Sequence, residues 1–332
     1  MIRLFALAAL TLPSLILPSL AHALCNADGI ETLMAPADLA DLNDVAAATP
    51  YGQGLYWSAQ KGGVELSIIG TMHLADPRHA NLRTRAASQL ERADILLVEA
   101  TLEDQNAMQV NMAQNPEMMT INDGPTLPDQ LDPDTWAQIR DAAALRGVPG
   151  FIAAKMQPWF LSMTLAIAPC AMASMMAGEL GLDGLLMEDA AALNVPVIAL
   201  EPWQDTLALL SSGTFDEQID ALRYSVIDPD IQDALITSLV TSYFAEETAY
   251  GWHIGRYLTE HMPNMDLALF DAQMAELEES LLNNRNRAWI PVIENAAASH
   301  DQIFIAFGAA HLIGDQGVLN LLEGNGWTIT RR

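Results

Sequence analysis

The chain has 332 residues, 51% of them apolar, and carries 42 acidic against 15 basic side chains for a net charge of −27. That balance is globular, with enough apolar residues for a sizeable core, and it excludes a disordered or collagen-like chain. The acidity argues against nucleic acid or an anionic lipid surface as partner.

The chain opens with Arg3, an apolar run from Leu4 to Leu20, and Ala21-His22-Ala23 in the small-x-small form of a cleavage site. These features predict a secretory signal peptide over 1–23, cut after Ala23, and a periplasmic or secreted protein. A lipoprotein with Cys25 acylated is the alternative, and bulky Leu24 stands against it. The only cysteines are Cys25 and Cys170. An even count in an exported chain favours a Cys25–Cys170 disulfide over two free buried thiols.

The apolar run Leu66–Ile69 then leads into Gly70-Thr71-Met72-His73, a glycine expected to let the backbone turn and a histidine three residues on, a pattern that recurs at Gly308 and His311. Short apolar runs bounded by polar residues predict buried strands. Pro77 to Arg92 reads as a helix with Leu82, Ala86 and Leu90 on one face, and Ala93–Val98 reads as a strand ending at Glu99. Strand, helix, strand predicts parallel pairing. After a loop over 122–128, a helix is expected from Pro133 to Arg146, capped at Asp132 and stopped by Gly147. Trp159 to Ala177 carries no charge and is long enough to span a bilayer. Pro169 interrupts it, so it reads as a buried helical pair or a lid, with no stable membrane span left after signal cleavage.

Gly181-Leu182-Asp183-Gly184 opens another helix, with Asp183 expected as its N-cap. It leads to Val195–Leu200, a strand delivering Glu201 just before Pro202. From about 204 to 263 the pattern is helical, which predicts an inserted helical subdomain. His253 and His261 inside it, like His79 and His300, have no second ligand at helix spacing and read as structural or surface residues. A long helix follows from about Asp271 to Ala298, with Met274, Leu277, Leu281, Ala288 and Val292 as its apolar stripe. Arg285 falls on that stripe, and an inward guanidinium must meet a carboxylate or an oxyanion. The chain closes with the strand Ile303–Phe307 running into Gly308-Ala309-Ala310-His311, a helix from about Asp315 to Glu323, and a short strand Trp327–Ile329.

Four candidate strands therefore each deliver a ligand-type side chain: His73, Glu99, Glu201 and His311. In a parallel sheet the carboxyl ends of the strands form the ligand-binding rim. Two imidazoles and one or two carboxylates suit a divalent ion with a position left for water. In that reading His73, Glu99 and His311 hold metal, with Glu99 as ligand or general base, and Arg285 faces the developing oxyanion. Glu201 is either part of the site or a turn-stabilising carboxylate. The chain has no H-E-x-x-H helix and no G-x-S-x-G elbow. Two other readings stay open. One is a metal-independent, esterase-like hydrolase with a histidine base. The other is a non-catalytic protein that binds a metal, haem or peptide at the same rim.

The motifs Ile69-Gly70-Thr71-Met72-His73-Leu74 with Asp76-Pro77-Arg78, Leu97-Val98-Glu99, Gly181-Leu182-Asp183, Leu200-Glu201-Pro202, Arg285-Asn286-Arg287-Ala288-Trp289 and Phe307-Gly308-Ala309-Ala310-His311-Leu312 occur in an order that resembles the TraB/GumN family, the bacterial relatives of the Tiki proteases. The resemblance covers most of residues 24–332. It implies a single α/β domain with a mostly parallel sheet, an active site built on the G-x-x-H pair and a Glu, and divalent-metal-dependent peptide hydrolysis. The metal would be Mn, Co or Zn, and the partner a peptide or small-molecule substrate.

Overall fold

The computed structural model describes Cys25, residues 27–261 and residues 267–332. The segment 1–23, expected to be a signal peptide, and the side chain of His261 lie outside the described residues. Six strands among them form one mixed sheet: β1 (Tyr56–Lys61), β2 (Val64–Thr71), β3 (Ile95–Val98), β4 (Val197–Ala199), β5 (Gln302–Gly308) and β6 (Thr328–Arg331). Their order across the sheet is β4-β3-β5-β2-β1-β6. The neighbours β4, β3, β5 and β2 are parallel, while β1 runs antiparallel to both β2 and β6. The fold is α/β.

Strand alternation explains the layering. Along β5, Ile303, Ile305 and Phe307 point to one face, where they meet Trp289, Ile293, Val318 and Leu322 from two C-terminal helices. Phe304 and Ala306 point to the other, against Leu82 and Leu90 of the His79–Glu91 helix and Leu186 and Ala190 of the Leu182–Leu193 helix. Because both faces are covered, the central strands read as continuous apolar runs, which is why they were visible in the sequence. Two smaller clusters hold the helical parts: one joins Leu127, Ile139 and Leu161 to Ile219 and Leu222, and the other joins Ile30 and Leu42 to Ala234 and Ile254. The 204–263 span contains helices and no strand, and its segments pack into both clusters.

Several expectations need correction. The first strand is preceded by β1, which the apolar-run pattern does not pick out. Gly62 and Gly63, at φ +59° and +95°, close a two-residue hairpin between Lys61 and Val64, and only glycine pairs accept that turn easily. Neither Gly70 nor Gly308 is a turn residue with positive φ. Gly70 lies inside β2, where a Cβ would come within 2.6 Å of Leu312 Cδ1 and 2.9 Å of the Ala309 backbone. The glycine permits close approach of the second motif rather than a bend.

The uncharged stretch is two short helical pieces, Pro158–Ala166 and Pro169–Met176, bent by 84°, and no single described helix is long and apolar enough to cross a membrane. The long C-terminal helix is also not uniform. A π-helical turn, Glu279–Asn283, separates Leu267–Glu278 from Asn284–Ala297. The extra residue moves the inward face on by one. Leu282, Trp289 and Ile293 are buried instead of Leu281, Ala288 and Val292.

Cys25 and Cys170 are disulfide-bonded, 145 residues apart, with Cα atoms 5.4 Å from each other. Closing so long a loop removes entropy from the unfolded chain. Reduction, or Cys170→Ser, is expected to lower the unfolding free energy by about 2–5 kcal/mol. Urea melts with and without reductant measure this, and identical midpoints would refute it.

Candidate functional site

Strand register alone brings the motifs together. Thr71 of β2 pairs with Gly308 of β5, Val98 of β3 with Ala306 of β5, and Val98 with Ala199 of β4. The residues that follow these positions, His73, Glu99, Glu201 and His311, therefore emerge along one sheet edge. A Cβ placed on Gly308 would lie 3.2 Å from Glu99 Oε1, 3.7 Å from His311 Cδ2 and 4.0 Å from His73 Nε2. All three side chains surround the α-carbon of Gly308, and a larger residue there would fill the space between them.

Glu99 is the centre of the group. Its Oε1 accepts the Gly308 N–H at 2.6 Å, and its Oε2 accepts from Arg285 Nη2 at 2.6 Å. Burial by itself would raise the Glu99 carboxyl, but the charges of His311, His73 and Arg285 and the Gly308 N–H outweigh it and hold the group at about 2. Burial pushes the His311 imidazole down to about 4. Near neutral pH His311 is thus uncharged, and His73 and Arg285 are the cations that keep Glu99 ionised.

Arg285 does face inward as expected, onto carboxylates. Its Nε and Nη2 donate to Glu201, with Nη2 2.5 Å from Oε1, while Nη1 donates to Leu281 O at 3.0 Å and to His311 Nε2 at 3.2 Å. Burial opposes the guanidinium charge, and pairing with Glu201 and Glu99 more than offsets it. Glu201 also accepts from Trp289 Nε1 at 3.1 Å and Thr206 Oγ1 at 3.0 Å. With both oxygens engaged, it fixes Arg285.

Each histidine is oriented through Nδ1. His311 Nδ1 lies 2.6 Å from Asn286 Oδ1, and Asn286 Nδ2 donates to Gln316 O at 2.9 Å. Because the Asn286 oxygen can only accept, His311 carries its proton on Nδ1, and Nε2 presents its lone pair to the site. His73 Nδ1 lies 3.2 Å from Asp183 Oδ1, at ion-pair distance but short of hydrogen-bond alignment, so that buried oxygen is left without a hydrogen-bond partner. Pairing with Asp183 raises the His73 imidazole above its ordinary value, against the effect of burial. The side chain is 67% exposed, so solvent screens that interaction.

Asp183 is therefore not an N-cap. Gly181 holds the cap position of the Leu182–Leu193 helix, and Asp183 sits in its first turn without a capping bond. Gly181 presses against the loop that carries His73: a Cβ there would lie 2.4 Å from Met72 O and 2.5 Å from His73 O. The Leu182 N–H donates to Met72 O at 3.0 Å. On the other side Tyr243 O–H donates to Gly70 O at 2.9 Å. His79, read as structural, is fully buried and meets Leu74 O through Nε2 at 2.8 Å. His253 meets Thr49 Oγ1 at 3.1 Å, away from the site.

The structure thus gathers His73, Glu99, Glu201, Arg285 and His311 and adds Asp183, Asn286 and Trp289, which the strand-end pattern does not single out. Asn286 and Trp289 lie within the Arg285–Trp289 motif, so the signal for them was present. Trp289 is fully buried, with its ring centroid 4.4 Å from that of His311 and 4.9 Å from the Arg285 guanidinium carbon.

A family model described as the TraB/PrgY/gumN family matches residues 55–331, from the residue before β1 to the end of β6. The chain belongs to the TraB/PrgY/gumN family. It is similar to the uncharacterized protein YbaP of Escherichia coli (strain K12), at 22% identity over 262 residues that make up 79% of this chain and 89% of that protein. The uncharacterized protein YbaP of Shigella flexneri is similar too, at 22% identity over 256 residues, 77% of this chain and 87% of that protein. No solved structure matches the chain.

As a donor set for a divalent cation, these residues fit in kind. Two imidazole Nε2 atoms and a carboxylate converge, each imidazole is anchored through Nδ1, and three carboxylates (Glu99, Asp183 and Glu201) stand against one guanidinium. The donor atoms of His73, Glu99 and His311 do not all lie within 4.8 Å of one another, and Arg285 lies at the mouth of the His311–Glu99 gap.

The buried groups give stability a pH dependence of fixed sign. His311 sits at about 4 against an ordinary 6.5, and Glu99 at about 2 against 4.5. The unfolded chain takes up each proton first, so stability is lost as pH falls, through His311 from 6.5 towards 4 and then through Glu99 from 4.5 towards 2. His73, raised, has the opposite sign: its contribution is present below the ordinary imidazole range and is lost as pH rises through its own value. Between pH 7 and 4.5, denaturant unfolding should show a drop on the order of 2–3 kcal/mol that His311→Asn largely removes. A variant with the same pH slope as the wild type would contradict it.

Proposed function

We propose that this protein is an exported, divalent-metal-dependent hydrolase of peptide or amide bonds. His73, Glu99 and His311 hold the metal, which is Mn, Co or Zn. The observation that carries this reading is the matched orientation of the two imidazoles. His311 Nδ1 is bonded to Asn286 Oδ1 and His73 Nδ1 lies 3.2 Å from Asp183 Oδ1, while His311 Nε2 stands 3.9 Å from Glu99 Oε2 and His73 Nε2 lies beside Gly308. That is the carboxylate– or amide–histidine arrangement by which proteins set imidazole ligands. The excess of carboxylates over guanidinium supplies the negative field a divalent cation needs. The disulfide supports the extracytoplasmic location.

A bound divalent ion supplies a water of lowered pKa and polarises the substrate carbonyl. Glu99, kept ionised by the His73 and Arg285 charges, would complete the ligand set or, where it is not a ligand, take the proton of the attacking water. Arg285, locked in place by Glu201, donates through Nη1 to the carbonyl oxygen as negative charge builds on it. Asp183 and Asn286 keep the two rings from rotating, and Trp289 keeps bulk water from the Arg285–Glu201 pair.

One observation favours a second reading. Arg285 already reaches Glu99, Glu201 and His311 Nε2, so the guanidinium itself can serve as the site's cation, with neutral His311 as general base and no metal.

Metal analysis of protein purified without chelators, then assay against a peptide library with Mn, Co or Zn restored, separates the two. The metal reading expects stoichiometric metal, activity lost to chelator and regained with metal, and loss of both metal and turnover in His73→Ala and His311→Ala. Asp183→Asn and Asn286→Ala should weaken metal binding by about 10–100-fold. Arg285→Ala should retain metal and lose turnover. Turnover that survives chelation and falls only with His311 and Arg285 would move the assignment to the metal-free mechanism.

A further inference from the structure

His73, Glu99 and Arg285 stand on a wall shared by two unequal pockets. One, of about 180 Å³, is lined by Gln105, Met108, Thr206 and Asp183 as well as by these residues, and is the smaller. The other, of about 430 Å³, also touches His311 and opens towards the helical insertion. Its walls are Leu239, Tyr243 and Trp252 on one side and Leu277 and Leu281 on the other. Only this second pocket reaches the ~300–1,000 Å³ range in which folded proteins seat ligand groups.

The π-turn shapes it. Leu281 inside the turn and Leu277 just before it line the cavity, while Leu282 is buried. Leu277 is 40% exposed, an apolar side chain left in water beside charged residues. Thr71 and Thr248 also line this cavity, and their hydroxyls are buried without a hydrogen-bond partner.

We infer that the large pocket is a specificity site for a bulky apolar side chain, aromatic or branched aliphatic, on one side of the bond to be cut, and that the smaller pocket accepts only a small residue on the other. This deepens the hydrolase reading and rests on it for the position of the bond. The apolar walls bury the side chain. Continuity of the cavity with Glu99 and His311 fixes the occupant as part of the substrate rather than a separate partner. Trp252 and Leu277 set the preference.

Two measurements on the full chain test this. Capped tripeptide amides with phenylalanine, leucine, glycine or aspartate in the centre are titrated calorimetrically, and a fluorogenic peptide library varied on both sides of the bond is assayed for hydrolysis with metal restored. Phenylalanine and leucine probes should bind about tenfold or more tighter than glycine and aspartate probes, and hydrolysis should show the same bias on one side only. Leu277→Glu, a surface change that leaves the core intact, and Trp252→Ala should each erase most of that ratio. Equal binding of all four probes, or an apolar preference that both variants retain, overturns the inference. An apolar preference in binding that both variants lose, with no peptide hydrolysed under any metal, supports the pocket assignment and overturns the hydrolase reading.

Discussion

One guanidinium ties together parts of the chain that are far apart in sequence. Arg285 reaches Glu99 at the end of β3, Glu201 just past β4 and His311 just past β5, all within 3.2 Å. Its side chain is only 15% exposed, and those of its two carboxylates 17% and 10%. Buried charges of this kind are costly unless every partner is present, and losing one partner costs several kcal/mol because the others are left unpaired. The sheet edge, the π-turn and the Trp289 ring must all be in place for the network to close.

Two consequences follow for the chemistry. The network keeps Glu99 ionised in a buried position, which burial alone would forbid. Burial leaves His311 neutral, and the Nδ1–H it donates to Asn286 Oδ1 fixes the tautomer whose Nε2 lone pair faces inward. His73 differs from its counterpart. It is largely exposed, tethered through Asp183, and held by a loop that packs against Gly181 and hangs from Tyr243 and His79. The pair of G-x-x-H motifs is therefore alike in sequence and unlike in environment. One imidazole is buried in the core, and the other is open to solvent.

The helical segments act on the site from outside the sheet. Tyr243, Thr248 and Trp252 come from the 204–263 region, and Leu277 and Leu281 from the helix before the π-turn. They add the apolar wall that the strand ends lack. A site built on strand ends is precise in position because parallel register fixes it. The surrounding helices are free to vary what the site accepts.

The sequence by itself determined the strands buried on both faces, because such strands must be apolar throughout, and it determined the residues at their carboxyl ends, because a carboxylate or imidazole there stands out against the run. It also identified Arg285 as inward-facing and paired the two cysteines. Tertiary structure decided the rest. The hairpin strand β1 is not a plain apolar run, and only pairing with β2 and β6 makes it a strand. The π-turn shifted the buried face by a residue, which a constant 3.6-residue period cannot express. Asp183 left its cap position for His73, and Asn286 became the partner of His311, because those contacts join elements remote in sequence and have no local period or spacing to announce them.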